Sequence, residues 1–164
     1  MKARLPVFPI GSSVNRAGHL IIGGCDVVEL AMEFGTPVYL YDEFTLRSKI
    51  REFKTEFGRR YPDVAILYAS KAYINGAIAI IMNEEGLGLD VVSEGELGIA
   101  RSVKFPMKRV YFHGNNKSPR ELELGLKWKV GRFVVDNFHE LELLGKMAKA
   151  KGVRQDILLR ITPG

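Results

Sequence analysis

Val64-Ala65-Ile66-Leu67-Tyr68-Ala69-Ser70-Lys71, followed after a helical stretch by Leu87-Gly88-Leu89-Asp90-Val91-Val92-Ser93, is the part of the chain that decides its fold. A short apolar run, a polar cap, a helix and another short apolar run make one strand–helix–strand unit, and such units pair their strands in parallel. The pattern then repeats. Strands are expected near 64–69, 87–92, 109–112, 132–135 and 156–161, and helices near 75–85, 94–103, 119–128 and 138–150. Three helix starts carry a cap with a glutamate three positions on: Ser93/Glu96, Ser118/Glu121 with Pro119 at the first helical position, and Asn137/Glu140. Right-handed crossovers leave two outcomes, an open sheet or one curling into a barrel. A full eight-stranded barrel takes about 250 residues, so a barrel here would be partial, with about five of eight βα units.

The segment before this repeat reads differently. His19–Gly24 is expected to form a short strand and turn, Asp26 to cap a helix reaching Phe34, and Gly35 to end it. A strand over Pro37–Tyr41 and an amphipathic helix from Phe44 to about Arg60, capped by Asp42, follow. The expected division is residues 1–35 as one segment and 36–164 as the incomplete barrel.

Composition sets outer bounds. The chain has 164 residues, 46% apolar and 26% charged, as in an ordinary globular protein. The net charge of +5 comes from basic residues scattered among acids, without the clustered Arg/Lys and interleaved aromatics of a nucleic-acid surface, so no nucleic-acid partner is expected. The longest apolar stretch, Ala77–Met82, is far too short to span a bilayer. Cys25 is the single cysteine, which excludes an internal disulfide and makes a reducing cytoplasm the expected compartment; packing is its expected role.

Three strands each bring one ionisable residue toward the carboxyl end, where parallel α/β proteins place their chemistry. Alternation puts Lys71 on a face with Leu67 and Ala69, Asp90 with Gly88 and Val92, and Arg160 with Leu158. A lysine buried at a strand exit needs a partner for its charge or a use for its amine, and a desolvated amine is a good nucleophile toward aldehydes, pyridoxal phosphate among them. Asp90 would hold or orient that amine, Arg160 would balance Asp90, and Gly88 would leave room for a bulky group. A buried ion-pair network without chemistry explains the same residues, and a one-residue slip would turn all three outward. His113-Gly114-Asn115-Asn116-Lys117-Ser118 reads either as a loop over a ligand or as a plain connection into the capped helix.

Four motifs, in order, resemble the N-terminal part of the diaminopimelate decarboxylase family, in the alanine-racemase-like class of pyridoxal phosphate enzymes: Gly35–Asp42, Tyr68–Ala72, Glu85–Leu97 and Phe112–Ser118. One departure is Tyr73, where many members have asparagine two residues after the lysine. The resemblance implies that Lys71 holds pyridoxal 5'-phosphate through its amine, that Asp90 lies near it and Arg160 near Asp90, and that His113 lines the cofactor pocket. It implies decarboxylation of meso-2,6-diaminopimelate to L-lysine by a cytoplasmic homodimer. Relatives acting on arginine, ornithine or carboxynorspermidine share this logic, and a non-catalytic homologue or a racemase remains an alternative. By the same resemblance, residues 1–35 would belong to a β-rich second domain. The phosphate loop, the pyridine-nitrogen partner and most substrate contacts would come from later strands.

Overall fold

A computed structural model describes residues 7–163; residues 1–6 of the expected first segment and Gly164 at the end of the expected barrel segment lie outside the described residues. The chain forms two compact units, Met1–Pro62 and Asp63–Gly164. The long helix after Asp42 groups with the first unit.

In the first unit, strands β1 (Ser13–Val14), β2 (Leu20–Ile22) and β3 (Cys25–Asp26) form an antiparallel meander. Asp26 then caps helix α1 (Val27–Phe34), its carboxylate accepting from the N–H groups of Val28 and Glu29. The same carboxylate accepts from Asn15 Nδ2 at 2.8 Å and meets His19 Nδ1 at 2.9 Å, so His19 is a structural residue. Cys25 is exposed rather than packed. Pro37–Tyr41 is not a strand: neither sheet offers it a pairing partner, and an apolar run without a neighbouring ladder does not become sheet. Helix α2 (Glu43–Arg60) forms as expected, with Asp42 accepting from the Thr45 N–H, but only Ile50 of its apolar stripe is buried, and Phe53 and Phe57 stack on each other in solvent.

The second unit carries the repeat. Strands β4 (Leu67–Ala69), β5 (Gly88–Val91), β6 (Val110–Phe112), β7 (Arg132–Val135) and β8 (Ile157–Leu159) form one parallel sheet in sequential order. Helices α3 (Gly76–Glu84), α4 (Glu94–Ser102), α5 (Pro119–Trp128) and α6 (Phe138–Ala150) connect them, each packed on the next. A doubly wound sheet reverses its order at a switch point; this one does not, so the fold is a partial (β/α)8 barrel of five strands.

Register divides the sheet into two faces. Leu89, Val91, Val110, Phe112, Phe133 and Val135 point to the helices and are fully or almost fully buried. Each such side chain contributes about 1.5–3 kcal/mol by leaving water. Leu67, Ala69, Gly88, Asp90, Tyr111, Arg132, Val134 and Leu158 share the other face.

Glycines set how closely these layers approach. A Cβ on Gly125 of α5 would come within 2.4 Å of the Phe133 ring, which stacks on Phe112 with centroids 5.7 Å apart. A Cβ on Gly88 would meet the Leu67 side chain at 2.3 Å and the Arg109 carbonyl oxygen at 2.5 Å, so Gly88 serves tight strand packing and leaves no space for a bulky group.

Two alanine substitutions separate these roles. Gly125→Ala forces the aromatic pair apart and is expected to cost about 1–3 kcal/mol in urea unfolding. Gly145→Ala in α6, where a Cβ would meet nothing within 4 Å, is expected to gain up to about 1 kcal/mol from helix propensity.

Candidate functional site

The carboxyl edge of the parallel sheet gathers the polar residues of the second unit. Strand β4 ends at Ala69, and Ser70–Ala72 closes into a single 3-10 turn, so Lys71 leaves the strand before alternation can bury it. Its side chain is exposed, not buried as the sequence reading expected, and it has no ion-pair or hydrogen-bond partner among the described residues. The turn packs beside β5, since Ala69 pairs with Asp90 in the register. Ser70 is buried, with its hydroxyl oxygen lacking a hydrogen-bond partner.

Asp90 stands on the open face of β5. It faces His113, which follows β6 and extends the ladder by donating its N–H to the Val91 carbonyl at 2.8 Å. His113 Nδ1 lies 3.4 Å from Asp90 Oδ1, with 33% of the histidine and 21% of the aspartate side chain exposed. The other ring nitrogen, Nε2, is buried and lacks a hydrogen-bond partner. A carboxylate facing Nδ1 favours the proton there, which leaves the Nε2 lone pair free to accept.

Arg160 does not balance Asp90. Its Nη1 lies 3.0 Å from Asp136 Oδ1, at the end of neighbouring strand β7. The register explains this: Val135 pairs with Leu159, and the Arg160 N–H continues the ladder to the Val135 carbonyl, so Asp136 and Arg160 emerge side by side. Asp90 is three strands away, on the order of 14 Å along the sheet at strand spacing.

Several residues of this region were missed from sequence. Tyr111 and Arg132 occupy the same layer as Asp90; the Arg132 guanidinium lies over the Tyr111 ring, 5.1 Å from its centroid, and donates to its hydroxyl. Counting by twos along β6 and β7 would have found both, and Asp136 as well. Lys117 and Glu140 form a buried ion pair at 3.0 Å, with side chains 1% and 4% exposed. No local pattern signals that contact, which joins a loop to a helix beyond the next strand.

The helix caps brace the same edge. Ser118 and Glu121 form a reciprocal capping box. At the other two starts the glutamate reaches one residue further back than expected, Glu96 accepting from the Val92 N–H at 2.9 Å and Glu140 from the Asp136 N–H at 3.4 Å, so each ties the strand exit to the following helix. Burial alone would raise the carboxyl pKa of Glu121. Hydrogen bonds from the Ser118 N–H and hydroxyl and the Glu94 N–H, with the charge of Lys117, outweigh that and hold it below its ordinary value.

These residues suit a phosphorylated aldehyde cofactor. The edge offers an amine with no competing partner, a histidine nitrogen buried without one, and a buried hydroxyl in the same condition. Among the described residues no group of three or more His, Cys, Asp or Glu could hold a metal ion, and no helix is long and apolar enough to cross a membrane.

Singly wound parallel sheets with polar residues on the carboxyl edge define a broad class of barrel enzymes. Within it, residues 44–164 match the family described as pyridoxal-dependent decarboxylase, pyridoxal binding domain, and the chain belongs to that family. It is 48% identical over 153 residues to a diaminopimelate decarboxylase of Bacillus methanolicus, covering 93% of this chain and 35% of that protein. Identity to the Bacillus subtilis diaminopimelate decarboxylase is 47% over the same shares. Among solved structures, diaminopimelate decarboxylase from M. jannaschii in co-complex with L-lysine superposes with a TM-score of 0.85 at 34% identity, over 93% of this chain and 36% of that one. Lysine/ornithine decarboxylase from Vibrio vulnificus complexed with putrescine gives 0.69 at 26% identity, over 82% and 35%. The chain thus spans about a third of the length of the relatives it matches.

The lowered pKa of Glu121 has a signed consequence. The carboxylate contributes stability that is fully present above its unfolded value and is lost as pH falls through the lower folded value. Thermal unfolding from pH 7 to pH 3 is expected to show wild type losing stability below the ordinary glutamate value of 4.5, with a shallower loss for Glu121→Gln. Parallel curves would show that the hydrogen bonds do not favour the charged form.

Proposed function

We propose that this chain supplies the wall of a decarboxylase active site that holds pyridoxal 5'-phosphate, with meso-2,6-diaminopimelate as substrate and L-lysine and carbon dioxide as products. One observation carries the reading: the unpartnered amine of Lys71 stands at the carboxyl edge of the sheet, on the turn beside Asp90, whose partner His113 has a buried nitrogen with no bond to make. The substrate follows from the identity to the two Bacillus diaminopimelate decarboxylases.

Pyridoxal phosphate, when bound, supplies an electron sink for the bond that breaks as carbon dioxide leaves. The chain's own residues anchor and orient. Lys71 is the nucleophilic amine that holds the cofactor. Its exposure leaves it accessible to an incoming aldehyde. Asp90 would hold the proton on His113 Nδ1, leaving the buried Nε2 as an acceptor available to the cofactor. Arg160, fixed by Asp136, presents a cation at the far end of the same edge.

We extend the proposal to a cytoplasmic homodimer, as the resemblance implies. A cysteine that is single in the sequence and exposed accords with a reducing compartment. The β-rich second domain for residues 1–35 is part of the same proposal, and the antiparallel meander of the first unit supports it.

The assay is carbon dioxide release from meso-diaminopimelate by this chain joined to the later strands its relatives carry, supplied with pyridoxal phosphate, with arginine and ornithine as competitors; the chain by itself is expected to be inactive. Release is expected from diaminopimelate in preference to the other two and is abolished by Lys71→Ala. Faster release from arginine or ornithine would refute the substrate, and undiminished release by Lys71→Ala would refute the anchor.

A further inference from the structure

The buried Lys117–Glu140 pair sits one loop away from the residues assigned to the cofactor. The Lys117 ammonium donates to two acceptors, the Gly114 carbonyl at 2.6 Å and the Val134 carbonyl at 2.9 Å, and Glu140 Oε1 lies 3.0 Å from it as the charge partner, outside hydrogen-bond geometry. Glu140 Oε2 takes the Asp136 N–H, and Asp136 in turn holds Arg160. His113 makes the last ladder bond of β6, and the chain then turns through Gly114 at a φ of +112°, a conformation that favours glycine. The Gly114 carbonyl, the first beyond the ladder, is fixed by Lys117.

Fold stability does not account for this arrangement, since replacing a buried ion pair by apolar side chains of similar volume is often neutral or stabilising. What the ions supply, and apolar groups cannot, is direction. They aim two backbone carbonyls and one N–H at fixed points.

We propose that Lys117 and Glu140 are positioning residues for the cofactor edge. Through Gly114 they set the ring of His113 against Asp90, and through the Asp136 N–H they set the strand exit that presents Arg160. This inference rests on the assignment of that edge to pyridoxal phosphate, and its test is arranged so that the two can fail separately.

The variant that decides it is Lys117→Met with Glu140→Leu, which removes both ions and keeps the volume. The double variant is expected to melt close to wild type, whereas Lys117→Met alone melts lower because it strands a buried carboxylate. With both ions gone, pyridoxal phosphate binding is expected to weaken by about ten- to a hundredfold, the scale of effect that small misplacements produce. Proton NMR of the cofactor-free protein gives an independent reading, because the chain has only three histidines and Gln substitution assigns them. The ring signals of His113 are expected to shift or broaden in the double variant while those of His19 and His139 stay fixed. Glu140→Gln, which keeps the volume and one acceptor, is expected to move the His113 signals in the same way, and it decides the matter if the double variant does not fold. An unchanged His113 spectrum in a folded variant, or wild-type cofactor affinity in the double variant, would overturn the proposal. Should wild type itself take up no pyridoxal phosphate, the proposed function fails, while the cofactor-free spectra still judge the pair.

Discussion

A parallel strand cannot hand the chain directly to its neighbour; a crossover must return it to the starting edge first. In the second unit the strand order is sequential, so right-handed crossovers place every helix on the same face. That constraint produces the rest. One face of the sheet becomes the dry layer of Leu89, Val91, Phe112, Phe133 and Val135 against the helices. The other face stays partly open and polar, and all strand exits emerge along a single edge, where Lys71, Asp90, His113, Asp136 and Arg160 appear in chain order.

The charges on that edge are sorted in pairs. Asp90 faces His113, Asp136 holds Arg160, and Glu140 takes Lys117 out of solvent. Lys71 has no such partner among the described residues. The contrast between the two lysines is chemical. Lys117 is buried, bonded to two carbonyls and paired with Glu140, with no access to an electrophile, so it can only hold backbone in place. The amine of Lys71 is exposed and uncommitted.

Local signals in the sequence read well, and long-range ones did not. Asp26, Asp42, Ser93, Ser118 and Asn137 cap the helices expected of them, because a cap and its first turn lie within four residues of each other. Strand β7 was placed residue for residue, since alternation and flanking turns are local too. Pro37–Tyr41 has the composition of a strand without a ladder to join. Lys71 was placed on an inward face by extending strand parity past Ala69, where the backbone had already turned. The partner of Arg160 depends on strand order and register, and the partner of Lys117 on how α6 docks against the loop after β6. Neither is written in the residues nearby.

The most direct test of this account is to find which lysine takes the cofactor. The protein is incubated with pyridoxal phosphate, the adduct is fixed by borohydride reduction, and the modified peptide is mapped by mass spectrometry. The account predicts a phosphopyridoxyl group on Lys71 and none on the buried Lys117. Modification spread over the surface lysines, or concentrated at one other than Lys71, would contradict it.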